Sequence, residues 1–332
     1  MSPDINDLAE ALTLDSQAAI GIPIALVGAV MLSIGTQLQH RGVTKVEASR
    51  GASDSGLSMG STWALVRQPT WLLGTITLGL AIVVQLAALW FAPLIVVQPL
   101  GAVALVVTAI LNSRLSKTPL DGATIRAILL CVGGVGAFVL VAAFFATVHP
   151  VQEQQLATVL IILGAVLAIW GVLFVLFRKR ASPLFYILAA GSIYGFVATL
   201  AKVIMGRIQT LIASEFQFGP AEWLTIGCLA ALIVAAIIGM YFVQSAHANG
   251  PPDLVVAGLT VVDPIVAVTI GIVVLGEASN APWWAMILFL LSGAVAVFGV
   301  FQLARHHPHM QDETVADVIE DAVDEIEERL DR

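Results

Sequence analysis

Two ionisable side chains lie deep inside long apolar stretches, where only a specific role would keep them. Lys202 stands in the run YGFVATLAKVIMGR, and Asp263 precedes Pro264 in the run VVDPIVAV. A charge near the bilayer centre costs about 3 kcal/mol on insertion scales and more than ~10 kcal/mol in simulations, so such residues usually mark an ion or substrate path. We therefore predict Asp263 as the substrate-binding group for a cation or proton, and as the ligand if the cation is a metal.

Lys202 has three interpretations from the sequence. Its long stem could carry the ammonium to the membrane surface, it could form a structural ion pair, or it could contact the substrate. At a rise of about 1.5 Å per residue, Lys202 and Asp263 differ in predicted depth by about 10 Å, so a direct pair would need a bridging water. Substrate contact is the prediction retained here, with the other two left open.

Amide and aromatic side chains form the second group of candidates. Glutamines occur on several apolar runs, and amides can hold a hydrated cation or a polar headgroup without the cost of a buried charge. The alternative is hydrogen bonding between helices, worth about 0.6 kcal/mol per bond. The predicted polar lining consists of Gln37, Gln85, Gln98, Gln244 and Tyr194.

Two prolines follow these candidates in the chain. Pro99 comes directly after Gln98, and Pro264 directly after Asp263. Proline lacks a backbone N–H and weakens or kinks the helix that contains it. We therefore predict that both helices bend here and open a cavity.

The elements that position these residues are transmembrane helices. The chain has 332 residues, of which 58% are hydrophobic and 11% charged, whereas a soluble domain carries about 25% charged residues. Apolar runs long enough to cross about 30 Å of hydrocarbon predict nine helices in a lipid bilayer. They lie at 18–39, 70–92, 94–113, 122–147, 155–177, 183–206, 221–246, 253–276 and 282–304. The predicted fold is an all-α polytopic membrane protein.

Basic residues predict the orientation. Lysine and arginine near the span ends fall on one face, and Arg207 stands alone on the other. Because cytoplasmic loops carry the excess of positive charge, the N-terminus is predicted outside and the C-terminus in the cytoplasm. The predicted location is the cytoplasmic membrane of a bacterium.

Internal similarity predicts two related halves. VQLAALWFAPLIVV (84–97) matches VQSAHANGPPDLVV (243–256), and 33–42 matches 192–207 at nearly the same offset. Four helices on each side of a linking span 5 would then run in opposite directions. Such inverted repeats are typical of alternating-access carriers that bind substrate near the midplane.

The predicted organisation has four parts. An acidic segment (1–17) precedes a first transmembrane half (18–147), which contains a polar cytoplasmic loop (40–69). The second half (148–304) is followed by an acidic amphipathic tail (305–332). Within 311–332, apolar residues recur at helical spacing opposite the acidic ones, which predicts docking on a protein partner or on the protein itself. A homodimer is left open.

Several function classes lack their sequence signatures. The chain contains no P-loop, no nucleophile motif, no Cys/His zinc spacing and no dinucleotide-binding glycine motif. We therefore predict no enzymatic activity, no cofactor and no nucleic-acid partner.

One block of sequence is similar to a known family. WFAPLIVVQPLGAVALVVTAIL, followed by PLDGATIRAILLCVGGVGAFVLV, resembles the NIPA-type magnesium transporter branch of the drug/metabolite transporter superfamily. The second half agrees in GFVATLAK, in Gln244 and Asn249, and in VVDPIVAV before Glu277. The resemblance implies a carrier of nine or ten helices without enzymatic activity, and it implies Mg²⁺ as the substrate.

The predicted function is therefore an EamA/NIPA-like secondary transporter that works by alternating access. The sequence hypothesis is transport of a small metabolite or drug, coupled to protons or cations. Mg²⁺ transport, lipid-headgroup flipping and a scaffold role through the tail are the alternatives. Mg²⁺ keeps its waters and takes one or two carboxylates, whereas a cavity containing Lys202 suits an anionic substrate.

Overall fold

Helices account for nearly all of the chain that the computed structural model describes, namely residues 16–48, 67–116, 120–147, 151–177, 182–214 and 221–306. In chain order they are α1 (Ser16–Ala48), α2 (Pro69–Phe91), α3 (Leu94–Leu100), α4 (Val103–Ser116), α5 (Gly122–Phe145), α6 (Glu153–Phe177), α7 (Pro183–Ala213), α8 (Ala221–Asn249), α9 (Pro252–Val273) and α10 (Trp283–His306). The described ranges contain no strand and nine segments long and apolar enough to span a membrane. The predicted all-α polytopic fold is confirmed. The predictions for 1–15 and for the tail from 307 onward lie outside the described residues.

The first helix is longer than the sequence predicted. α1 continues to Ala48, so the beginning of the predicted loop 40–69 is helical. Packing explains the extension, because Gly42 lies against Trp71 of α2 and Val46 is buried. The two helices therefore stay paired beyond the apolar run.

The third predicted span is not one continuous helix. α3 ends at Leu100 and α4 begins at Val103. Between them, the N–H groups of Gly101 and Ala102 donate to carbonyls three residues back rather than four. Pro99 has no N–H to contribute to the regular pattern. The chain is thus interrupted near the middle of this span, beside a proline predicted to bend it.

Helix pairings recur between the two halves of the chain. α1 packs on α2 as α7 packs on α8, and α1 contacts α3 and α4 as α7 contacts α9. α5 and α10, the last helices of the two predicted halves, pack on each other. Among the described spans, α7 is the most buried and α6 the least. α7 therefore occupies the centre of the bundle, while the inverted direction of the halves stays a prediction.

Glycines seven residues apart bring α1 close to α2. A Cβ added to any of these glycines would lie within 3.0 Å of an atom of α2 or its C-terminal cap; they are Gly21, Gly28, Gly35 and Gly42. A seven-residue period keeps one helix face against a partner, as in coiled coils, and small residues let membrane helices approach closely. The contact extends over about 30 Å of helix. α1 and α2 therefore form one tightly packed pair across the membrane.

This packing predicts different effects for two glycines of α2. A Cβ at Gly74 would lie 2.5 Å from the backbone nitrogen of Gln39, whereas nothing lies within 4 Å of one at Gly79. We expect Gly74→Ala to lower stability by about 1–3 kcal/mol through overpacking. Gly79→Ala should be neutral or slightly stabilising, since alanine favours helix. Thermal unfolding of the detergent-solubilised protein measures both, and equal melting temperatures would contradict the close α1–α2 contact.

Candidate functional site

The turn between α2 and α3 is buried. Ala92, Leu94 and Val97 are each 0% exposed. The last carbonyls and first N–H groups of a helix have no partner within that helix. Because a buried turn offers them no access to bulk water, other parts of the protein must supply their hydrogen bonds.

Side chains of α7 satisfy the end of α2. The ammonium of Lys202, a residue 6% exposed, donates to the carbonyls of Leu89 and Ala92, each at 2.8 Å. Two turns further along α7, the amide of Gln209 donates to the carbonyl of Trp90 at 2.7 Å. A positive charge at a helix C-terminus also interacts favourably with the helix dipole. Lys202 thus has two backbone partners deep in the protein.

Glu277 satisfies the start of α3. The backbone N–H groups of Leu94 and Ile95 donate to its Oε1 and Oε2, each at 2.8 Å. Glu277 follows Gly276, whose φ of 69° lies in the left-handed region that glycine favours. A Cβ at Gly271 would lie 2.8 Å from Oε2, so that glycine leaves room for the carboxylate. A negative charge here complements the N-terminal end of the helix dipole.

Lys202 and Glu277 also attract each other electrostatically across the turn. We refer to Lys202, Gln209 and Glu277 together as the hairpin clamp. The sequence predicted a role for Lys202, whereas Glu277 entered only through the family resemblance. The sequence signal that could have pointed to Glu277 is its position as a lone acid directly after a glycine, at the end of an apolar run.

Asp263 lies in different surroundings on α9. Its Oδ1 is buried and has no hydrogen-bond partner among the described residues. Gly191 and Gly195 let α7 approach here, since a Cβ at Gly195 would lie 3.0 Å from the carbonyl oxygen of Asp263. Tyr194, between these glycines, is close enough to interact electrostatically with Asp263. The structure therefore brings two of the predicted site residues together.

A cavity of about 100 Å³ lies between α3, α5, α9 and α10. Pro99 and Pro264 both line it, with apolar side chains that include Phe138 and Val297. The two predicted bending points therefore face a common space. Asp263 instead lies beside α7, where Gly191 and Gly195 approach its backbone.

The predicted glutamine lining is spread over four helices. Gln37, Gln85 and Gln98 are half-buried on α1, α2 and α3, whereas Gln244 is exposed on α8. Gln85 faces α1, where its Oε1 would lie 3.0 Å from a Cβ at Gly28. A shared polar lining formed by these side chains stays a prediction.

Carboxylate, imidazole and thiol side chains do not converge on a metal site in the described ranges. These ranges contain no group of three or more His, Cys, Asp or Glu residues placed to hold a metal ion.

Sequence comparison places these features in a family. The family model described as Magnesium transporter NIPA matches residues 16–309. The chain belongs to the NIPA magnesium transporter family. The match includes α1 to α10, the hairpin clamp and Asp263. NIPA proteins are part of the drug/metabolite transporter-like superfamily, as the sequence resemblance implied, and they form a family of membrane transporters.

Individual relatives of this NIPA-family chain differ in how much of it they match. An uncharacterised protein of Corynebacterium glutamicum is 25% identical over 86% of this chain and 95% of its own length. Probable magnesium transporter NIPA5 of Arabidopsis thaliana is 30% identical over 42% of this chain and 33% of its own length. Magnesium transporter NIPA4 of Homo sapiens is 24% identical over 42% of this chain and 32% of its own length. No solved structure matches the chain.

The contacts of Lys202 predict that its loss destabilises the protein. In Lys202→Met the carbonyls of Leu89 and Ala92 lose their donor, and an unsatisfied buried polar group costs about 1–3 kcal/mol. We expect a lower melting temperature in detergent. Lys45→Met, at an exposed position of α1, is the matched control and should unfold like the wild type. A Lys202→Met protein of unchanged stability but altered substrate affinity would indicate substrate contact instead.

Proposed function

We propose that this NIPA-family protein is a secondary carrier of Mg²⁺ that moves the hydrated ion past Asp263 by alternating access. One observation carries the proposal. Oδ1 of Asp263 is buried in the middle of α9 with no hydrogen-bond partner among the described residues. Glu277, by contrast, has both carboxylate oxygens engaged by backbone N–H groups. Of these two acids, Asp263 is the one with an oxygen available to a cation.

The chemistry of Mg²⁺ suits a site of this kind. Mg²⁺ loses water reluctantly and usually binds through one or two carboxylates while keeping several waters. A single carboxylate supplies a negative charge that can hold the ion through its waters. The lack of a three-ligand cluster in the described ranges agrees with transport of a hydrated ion.

The positive charge of Lys202 is compatible with a cationic substrate, because its ammonium is occupied by other groups of the protein. Its ammonium donates to two carbonyls, and the carboxylate of Glu277 acts on it across the turn. We therefore leave Lys202 out of the proposed substrate contacts. The charge that the ion meets is then that of Asp263.

Alternating access is supported by the packing. The matched helix pairings are those expected if two inverted halves move against each other around a midplane site. Transporters of this kind often bind ions at interrupted helices, and span 3 is interrupted between Leu100 and Val103. Pro99 and Pro264 line one cavity, where the two helices could bend.

We place the carrier in the cytoplasmic membrane of a bacterium, with the α2–α3 turn at the extracytoplasmic end. This orientation follows from the basic residues at the opposite ends of the spans. Arg41, Lys45, Arg114, Arg126 and Arg305 are all exposed at those ends.

The test is Mg²⁺ uptake into proteoliposomes, followed with an internal Mg²⁺-sensitive dye. We expect Asp263→Asn to reduce uptake roughly tenfold or more, the effect of about 1.4 kcal/mol, because an amide cannot balance the charge of the ion. Asp121→Asn is the matched control. Asp121 caps α5 by accepting from the backbone N–H of Thr124 at 2.8 Å, and asparagine caps helices equally well.

Each other outcome has a distinct meaning. Full uptake by Asp263→Asn would overturn the role of this carboxylate. If the wild type takes up a cationic drug or an anionic metabolite but not Mg²⁺, the protein is a carrier with a substrate other than Mg²⁺. A failure to move any of these solutes would favour the scaffold alternative.

A further inference from the structure

We propose that the α2–α3 turn is the extracytoplasmic gate of this carrier, and that Lys202 and Glu277 lock it by holding its backbone ends. They would act as positioning residues for transport, without touching the substrate. The inference rests on the alternating access proposed above, but it does not depend on which substrate is carried.

The hairpin clamp joins the two halves of the chain. The turn belongs to the first half, whereas Lys202, Gln209 and Glu277 all belong to the second. Their five hydrogen bonds to the turn connect residues more than 100 positions apart in sequence. If the halves separate at this end of the bundle, these bonds must break together.

The turn is part of an apolar seal. Residues 94–97 are fully buried, and the segments after α5 and α9 contribute Ala146, Leu275 and Ala278, all at most 7% exposed. The N–H of Thr147 donates to the carbonyl of Glu277 at 2.8 Å, which ties these two segments together. Displacing the turn from the clamp would remove the centre of this seal.

A cavity lies next to the lock. A cavity of about 410 Å³ adjoins the clamp through Gly276, the residue before Glu277. Its polar lining comes from Gln152, Gln155, Thr210 and Ser279. Water in this cavity would lie close to the backbone groups and charges that separate when the gate opens. Hydration of these groups would limit the free-energy cost of breaking their hydrogen bonds.

Lys202 and Glu277 bind backbone groups of the turn, and this avoids an ion pair between the two halves. A carbonyl or an N–H presents only a partial charge, so Lys202 and Glu277 bind the turn without adding a charge to the first half. The two charges remain together on the second half and balance each other. Opening therefore separates no formal ion pair between the halves, which would be expensive in a low-dielectric interior.

Cysteine labelling tests the lock without any substrate. In a background with Cys131 and Cys228, both buried, replaced by alanine, Val97→Cys reports on the turn. A membrane-impermeant maleimide is applied from the extracytoplasmic side to cells that produce the full chain. We expect Glu277→Gln to accelerate labelling at Val97→Cys roughly tenfold, since a lost charge-assisted bond shifts the open–closed equilibrium by that order.

A second buried position separates gate opening from general loosening. Ala285 is 0% exposed on α10 and is not part of the turn. Labelling at Ala285→Cys should stay slow in the Glu277→Gln background. Equal acceleration at both positions would overturn the lock, because the variant would then loosen the whole bundle.

A milder variant covers the case in which Glu277→Gln does not fold. Gln209→Ala removes only the bond to the carbonyl of Trp90, and we expect a smaller acceleration at Val97→Cys. Unchanged labelling in every folded clamp variant would overturn the proposal. Loss of uptake in Asp263→Asn together with unchanged labelling would leave the transport function standing without the lock. Accelerated labelling in a protein that carries no Mg²⁺ would leave the lock standing and remove the proposed substrate.

Discussion

The buried turn between α2 and α3 sets the main constraint on this structure. Inside a membrane protein, backbone N–H and C=O groups without partners cost several kcal/mol each, and no bulk water is there to bind them. The chain reverses direction at Ala92 and Pro93 beneath the protein surface, so side chains must supply the missing bonds. Lys202 and Gln209 supply donors to α2, and Glu277 supplies an acceptor to α3. Lys202 and Gln209 reach the turn from α7, and Glu277 reaches it from the segment between α9 and α10, directly after the positive-φ Gly276.

This constraint also separates the charges of the protein by role. Lys202 and Glu277 are engaged with backbone groups, whereas Oδ1 of Asp263 has no such partner in the described ranges. A carboxylate at bilayer depth with one oxygen left without a hydrogen-bond partner is a stronger candidate for an ion contact than one that caps a helix, because burying an unpaired charge is costly. This difference is why Asp263, and not Lys202, is the proposed contact of the transported ion.

Close packing determines which parts can move together. The glycines of α1 hold α2 against it along the membrane, so these two helices are best treated as one body. α2 leads directly into the buried turn. A displacement of the α1–α2 pair would therefore stretch or break the hydrogen bonds of the hairpin clamp. Span 3 follows the turn and is interrupted between Leu100 and Val103. The turn and α3 can therefore move without α4 moving with them as a rigid body.

The sequence by itself determined the nine spans, because apolar length is set by bilayer thickness. It also determined the family, through the block WFAPLIVVQPLGAVALVVTAIL. It made Asp263 a candidate as well, since a lone acid within an apolar span stands out in the sequence without knowledge of its neighbours. The seven-residue glycine period of α1 was visible too, but its meaning depended on which helix lies opposite. Only the tertiary structure decided the contacts of Lys202 and Glu277. Their partners are backbone groups, which carry no residue type, on a turn more than 100 positions away, and no pattern in a single sequence encodes such a pairing.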